Sequence, residues 1–355
     1  MKFRVGLATV VSGALALSGA ILPGVAGGTP EPLHAAPPRP DSGSAEDPGP
    51  VEKAEPVPAP HAAIVGVQPV NERLMRVFVD SPAMHRTVQV LVLLPADRST
   101  PRPTVYMLDG RSTQPDSNNW LDRGNAAQFY ADKQVNVVFT VGGPASFYTD
   151  WQRPDPVLGV NKWETFLTQE LPAYLESRGV SRTNNGVLGL SMGGSAALTL
   201  AAYHRDQFKF AGSLSGYLNI SAPGMREAIR VAMVSAGSFN VDAMWGPPWN
   251  PAWLRNDPFV FAPELAGLSL YISAASGLPG QFDQPRRPVD FVNTGSAIGL
   301  EALALMNSRA FQLRMNSLGI PATYSFPANG THSWPYWGAE LWKARGQILD
   351  TLNAW

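Results

Sequence analysis

Gly189-Leu190-Ser191-Met192-Gly193 matches the G-x-S-x-G pattern of a serine raised on a tight strand-to-helix turn. Glycine is required two positions either side of the serine because a side chain there would collide with neighbouring backbone. Apolar Val187-Leu-Gly-Leu190 precedes the pentapeptide as a strand, and the Ala/Leu-rich stretch from Ser191 to Arg205 follows it as a helix. The chemistry on offer is nucleophilic attack by the Ser191 hydroxyl, which needs a base to take its proton. The chain has five histidines. His34 and His61 lie in a proline-rich N-terminal segment, and His85 precedes the serine, whereas folds with this turn supply the base last. His204 sits on the helix leaving the turn, roughly 20 Å from Ser191 at ~1.5 Å per residue. His332 remains, in Gly330-Thr331-His332-Ser333-Trp334. The acid that orients it is open among Asp242, Asp257, Glu264, Asp283, Asp290 and Glu301; the usual position just after the penultimate strand favours Asp283. The oxyanion formed on attack calls for two backbone N–H donors, expected from Met192 and from Arg111, which follows Asp109-Gly110 at the end of an earlier strand.

These residues need a scaffold, and the apolar patterning supplies one. Thr87–Leu94, Pro103–Leu108, Val135–Val141, Val187–Leu190, Phe208–Leu214, Leu268–Ala274 and Ala322–Phe326 read as strands, several of them closed by turn residues. Helical spacing marks Trp163–Glu176, Ser191–Arg205, Gly299–Leu318 and Glu340–Leu352. Strands alternating with helices imply an α/β fold with a mostly parallel sheet covered on both faces. Between Asn219 and Ala262 the pattern is irregular, with Trp245, Trp249 and Trp253 among prolines, and reads as an insertion over the sheet edge.

Composition narrows the function. The 355 residues contain no cysteine, which excludes a disulfide scaffold, a cysteine nucleophile and cysteine-ligated metal. A formal net charge of −1, with no Lys/Arg block, offers no footprint for nucleic acid. Lys2 and Arg4 precede an apolar run from Val5 to Leu22 and small residues at Gly24-Val25-Ala26, the pattern of a secretory signal over residues 1–26; an uncleaved membrane anchor is the competing reading. Residues 27–63 read as a disordered tether, with ten prolines between Pro30 and Pro60 and almost nothing large and apolar. Residues 64–355 then form one domain, exported to the cell envelope.

The chain resembles the antigen 85 type mycolyltransferases of mycobacteria and corynebacteria. The matching stretches include Tyr106-Met-Leu-Asp-Gly110, Val141-Gly-Gly-Pro-Ala-Ser-Phe-Tyr-Thr-Asp-Trp151, Lys162-Trp-Glu-Thr-Phe-Leu-Thr-Gln-Glu-Leu-Pro172, Gly212-Ser-Leu-Ser215, Met244-Trp-Gly246, Asn256-Asp-Pro258 and Asn329-Gly-Thr-His-Ser-Trp-Pro-Tyr-Trp337, in order from about residue 70 onward. The resemblance implies an α/β-hydrolase fold and a Ser191–Glu301–His332 triad, so Glu301 displaces Asp283 as the acid. It also implies transfer of a mycolyl group from trehalose monomycolate, through a mycolyl-serine, to a second trehalose monomycolate or to arabinogalactan, with diacylglycerol acyltransferase as a side activity. No cofactor, metal or stable protein partner is expected. The alternative is a secreted serine carboxylesterase. By the same resemblance the sugar site draws on Asp109, Ser112, Asn219, Arg309, Ser333 and Trp334. Where the family commonly has Leu-Arg after Asp-Gly, this chain has Arg111-Ser112, and its fibronectin-binding segment is not recognisable around Gln128–Lys133.

Overall fold

A computed structural model describes residues 62–176 and 180–355. The expected export signal and nearly all of the expected tether lie outside the described residues. The strands are β1 (Ala63–Pro69), β2 (Leu74–Ser81), β3 (Arg86–Leu93), β4 (Thr104–Leu108), β5 (Asn136–Thr140), β6 (Asn185–Leu190), β7 (Phe208–Leu214), β8 (Ser269–Ser273) and β9 (Thr323–Ser325). They form one sheet in the order β1-β2-β3-β5-β4-β6-β7-β8-β9. The pairings from β5 through β4 to β9 are parallel and those among β1, β2, β3 and β5 antiparallel. Every residue of β4, β5 and β6 is buried, as continuous apolar runs require when helices cover both faces.

The helices are α1 (Asn119–Asp122), α2 (Ala126–Phe129), α3 (Trp163–Thr165), α4 (Leu171–Glu176), α5 (Met192–Tyr203), α6 (Met225–Gly237), α7 (Val241–Trp245), α8 (Ala252–Arg255), α9 (Pro288–Ser317) and α10 (Trp334–Leu352). One face of the sheet packs a core that includes Phe166, Leu167, Leu198 and Phe208, the other a core that includes Trp120, Phe129, Leu341 and Ile348. Helix α5 is buried at all but its last residue, which suits its Ala/Leu composition: it runs under the sheet and supports the turn that carries Ser191.

The sequence reading placed no strand at β1 or β2 and no helix at α1, α2 or α6 to α8, and three of the helices it did place differ in course. The Trp163–Glu176 helix is interrupted by a wide π turn at Phe166–Glu170, where the Leu171 N–H bonds the Phe166 carbonyl. Pro172 follows at once, and its ring and missing N–H oppose a regular turn back to Thr168. Helix α9 begins eleven residues before the expected Gly299, started by Pro288 in its first turn and by Asp290, whose carboxylate accepts from the Arg287 N–H at 2.9 Å and pairs with the Arg287 guanidinium. No residue of α9 before Glu301 is buried, and its Val289, Phe291 and Val292 are exposed rather than packed on the core. Helix α10 begins at Trp334 rather than Glu340, again with proline in its first turn.

Candidate functional site

Ser191 sits between β6 and α5 with φ 52° and ψ −121°, a conformation that costs a non-glycine residue about 1–3 kcal/mol. Hydrogen bonds hold it there: Ser191 N–H donates to the Leu214 carbonyl at 2.8 Å, and Gly194 N–H to the Ser191 carbonyl at 2.9 Å. A Cβ on Gly189 would overlap the Gly193 carbonyl, and one on Gly193 the carbonyls of Asp109 and Leu108. Both glycines are therefore demanded by named backbone atoms.

The structure brings Ser191, His332 and Glu301 into line. His332 Nε2 lies 2.9 Å from Ser191 Oγ, and His332 Nδ1 lies 2.8 Å from Glu301 Oε2. Glu301, on α9, is 2% exposed. Its other oxygen accepts from Ser215 Oγ at 2.8 Å and from the Ala275 N–H at 2.7 Å, while Ser215 Oγ accepts from Trp337 Nε1 at 2.9 Å. The imidazole has Trp337 edge-on at 4.9 Å and Tyr217 stacked at 6.3 Å. Asp283, favoured by strand position alone, instead accepts from Thr331 Oγ1 at 2.6 Å and Tyr336 Oη at 2.5 Å, pinning the loop that carries His332. Asp242 pairs with Arg230, Asp257 accepts from Ser221 and Asp290 caps α9. His204 bonds Glu164 at 2.9 Å at the far end of α5.

The loop after β4 closes against the nucleophile. A Cβ on Gly110 would sit 2.8 Å from Leu190 Cδ1 and 3.7 Å from Ser191 Cβ, so only glycine lets this strand end approach so near, bringing Arg111 beside the serine. Asp109 is buried; its carboxylate accepts from the Gly110 N–H at 2.9 Å, the Asn119 N–H at 3.0 Å and Asn119 Nδ2 at 2.7 Å. Burial pushes its carboxyl above the usual range, against the pull of those donors. Its observed work is to tie the loop to α1.

A cavity of about 480 Å³ opens over Ser191 and His332. Its lining combines Ser112, Arg123, Ser333 and Trp334 with apolar side chains of α6 and with Leu300 and Leu303 of α9. Two expected sugar-site residues are not brought there. Asn219 does not line the cavity; its peptide N–H donates to Asn307 Oδ1 of α9 at 3.0 Å. Arg309, two turns beyond Glu301, lies with its guanidinium 4.0 Å over the Phe326 ring. Sequence reasoning missed Arg123, Tyr217 and the α6 wall. The signal for α6 was present: Met225, Ala228, Ile229, Ala232 and Met233 recur at i, i+3, i+4, i+7 and i+8, a helical spacing, inside the stretch read as irregular. Among the described residues no three His, Asp or Glu side chains converge as a metal site.

Against this geometry the relatives are informative. The esterase family model matches residues 81–348. The chain is 42% identical to the diacylglycerol acyltransferase/mycolyltransferase Ag85B of Mycobacterium avium over 71% of this chain and 76% of that one. It is 40% identical to the corresponding Ag85C of Mycobacterium leprae over 70% and 74%. Its fold is similar to the crystal structure of MPT51 (FbpC1) of Mycobacterium tuberculosis, with a TM-score of 0.66 and 34% identity across 77% of this chain and 96% of that one.

Proposed function

The chain belongs to the antigen 85 family of mycolyltransferases, and from that premise we propose that it moves a mycolyl group from trehalose monomycolate to a second trehalose monomycolate or to cell-wall arabinogalactan. The observation that carries the reading is the Ser191–His332–Glu301 relay opening on a cavity lined by both apolar and polar side chains. His332 Nε2 takes the Ser191 proton as Oγ adds to the ester carbonyl, and Glu301 holds the Nδ1–H and stabilises the imidazolium. The N–H groups of Met192 and Arg111 receive the oxyanion. Collapse of the tetrahedral adduct breaks the ester C–O bond, and the imidazolium gives its proton to the departing sugar oxygen. The acyl-serine then meets an acceptor hydroxyl, which yields its proton to His332 as it attacks and frees Ser191. Asp109, Ser112, Ser333 and Trp334 line the sugar end, with Arg123 supplying a cation beside them. Export by residues 1–26, with residues 27–63 as a spacer, would deliver residues 64–355 to the envelope where such lipids lie.

The esterase family match favours hydrolysis as the second reading. Incubation with trehalose monomycolate, with and without arabinogalactan, separates the two: dimycolate or mycolated polymer is expected from the unaltered protein and none from Ser191→Ala. Free mycolate as the sole product would replace transfer by hydrolysis.

A further inference from the structure

Helix α6 turns one face to the cavity, through Met225, Ala228, Ile229, Ala232 and Met233, and the other to solvent, where Val231 is 67% and Val234 57% exposed. Left-handed residues bound it, Gly224 at φ 81° and Ser238 at φ 58°, so the chain changes direction at both ends. Its polar ties run two ways. Arg226 bonds the Pro248 carbonyl and Arg230 pairs with Asp242 at 2.7 Å, both staying within the irregular stretch that carries α6 itself. Arg111 crosses from the loop after β4. Its guanidinium donates to the Ala232 carbonyl at 2.8 Å and to Ser235 Oγ at 3.0 Å, in the last turns of α6, where a cation also meets the negative end of the helix dipole.

We propose that the Arg111 side chain determines acyl-chain selectivity: it latches α6 across the cavity and so sets how long an alkyl chain the cavity accepts. This rests on reading the cavity as the acyl site. The wall it holds presents Met225 and Met233, facing a cavity that Met192 of α5 also lines, and methionine is an unbranched and adaptable side chain that leaves the helix position to be set by its ties. A cavity of about 480 Å³ is filled by a ligand of ordinary small-molecule size. A longer chain must displace the latched helix or stay in water. The same residue offers its peptide N–H to the oxyanion, so the latch joins the acyl wall to the loop at the reacting carbon.

The test is a series of saturated p-nitrophenyl esters from acetate to palmitate, with kcat/KM measured for the unaltered protein, Arg111→Leu, Arg111→Lys and Ser235→Ala. Dividing each value by the same variant's rate on acetate removes any general loss from the oxyanion peptide or from folding. Each further methylene buried raises kcat/KM about fourfold, so the unaltered protein climbs with chain length and levels off when the cavity is full. Arg111→Leu is expected to level off at least two carbons later, raising its long-to-short ratio by about 15-fold or more. Ser235→Ala moves the same way by less, and Arg111→Lys, which keeps a cation near the Ala232 carbonyl, stays close to the unaltered profile. Four identical profiles would overturn the latch. If the unaltered protein cleaves these esters but never acylates trehalose, the transferase reading fails while the profiles still decide the latch. No rise with chain length in the unaltered protein sinks the latch together with the acyl-site assignment.

Discussion

Replacing Glu301 with glutamine exchanges one oxygen for NH₂ at almost constant volume, and the structure dictates which oxygen is lost. Oε1 accepts from the Ala275 peptide N–H at 2.7 Å and from Ser215 Oγ at 2.8 Å, whereas Oε2 faces His332 Nδ1 alone. A peptide N–H can only donate, so the new amide keeps its oxygen toward Ala275 and turns NH₂ to the imidazole. His332 Nδ1 must then accept, which moves the ring proton to Nε2, 2.9 Å from Ser191 Oγ. A nitrogen already carrying a proton cannot take the serine's. Flipping the amide restores the working tautomer but sets two donors face to face and leaves the buried Ala275 N–H unpaired, a cost of about 1–3 kcal/mol that cuts the competent fraction by ~5- to 150-fold. That fraction also lacks the carboxylate charge that stabilises the imidazolium. Inverted tautomers of this kind cost about 10⁴ in kcat, or ~5.5 kcal/mol of barrier. Glu301→Gln is therefore expected to lose between about 10² and 10⁴ in the acylation rate, read from the p-nitrophenol burst. Its melting temperature should stay near that of the unaltered protein, and ¹⁵N NMR of His332 should show the proton on Nε2. A loss below about tenfold with the proton still on Nδ1 would refute the reasoning.

Two further outcomes follow from the geometry. Gly193→Ala pushes a methyl into the carbonyls of Asp109 and Leu108; it should lower the unfolding free energy by about 1–3 kcal/mol and, by displacing the Arg111 peptide, slow acylation by roughly 10². A normal burst in a folded Gly193→Ala protein would contradict this. Glu164 is buried, which alone would raise its pKa, but hydrogen bonds from His204 at 2.9 Å and Arg255 at 2.6 Å outweigh burial and hold it below the ordinary 4.5. A carboxylate depressed in the folded state adds stability that is present above its unfolded pKa and lost as pH falls through the folded value. The urea-midpoint gap between the unaltered protein and Glu164→Gln should thus be full at neutral pH and close as pH falls below 4.5. A gap unchanged across that range would argue against the ion-pair assignment.

Local pattern carried much of the fold. The strands from β3 to β9 lie within about two residues of the apolar runs that announced them, because a strand buried on both faces must be apolar throughout. The helices that escaped did so for different reasons. The first three turns of α9 bury nothing and contain Gly295 and Gly299, yet the helix holds through its first-turn Asp290 and through the Ala297 carbonyl, which accepts from the His332 N–H at 3.1 Å. Among tryptophans and prolines, α6 was hidden by its surroundings although its own spacing was regular.

Alone, the sequence marked the serine's turn by its G-x-S-x-G pattern and singled out His332 by elimination, although only the Gly189 clash is local, Gly193 being required by the distant carbonyls of Leu108 and Asp109. Strand position alone favoured Asp283 as the partner of that histidine and the family resemblance Glu301, and the tertiary structure supplies the physical reason for the second. One ends beside Thr331 and Tyr336 and the other beside His332 Nδ1, because helix α9 returns over the end of β8. The direction of the Arg111 side chain was decided only in three dimensions. A one-residue change after Asp109-Gly110 is visible as a string of letters, but whether the guanidinium faces a sugar or a helix end depends on where α6 lies. That position is fixed by packing among segments more than a hundred residues apart in the chain.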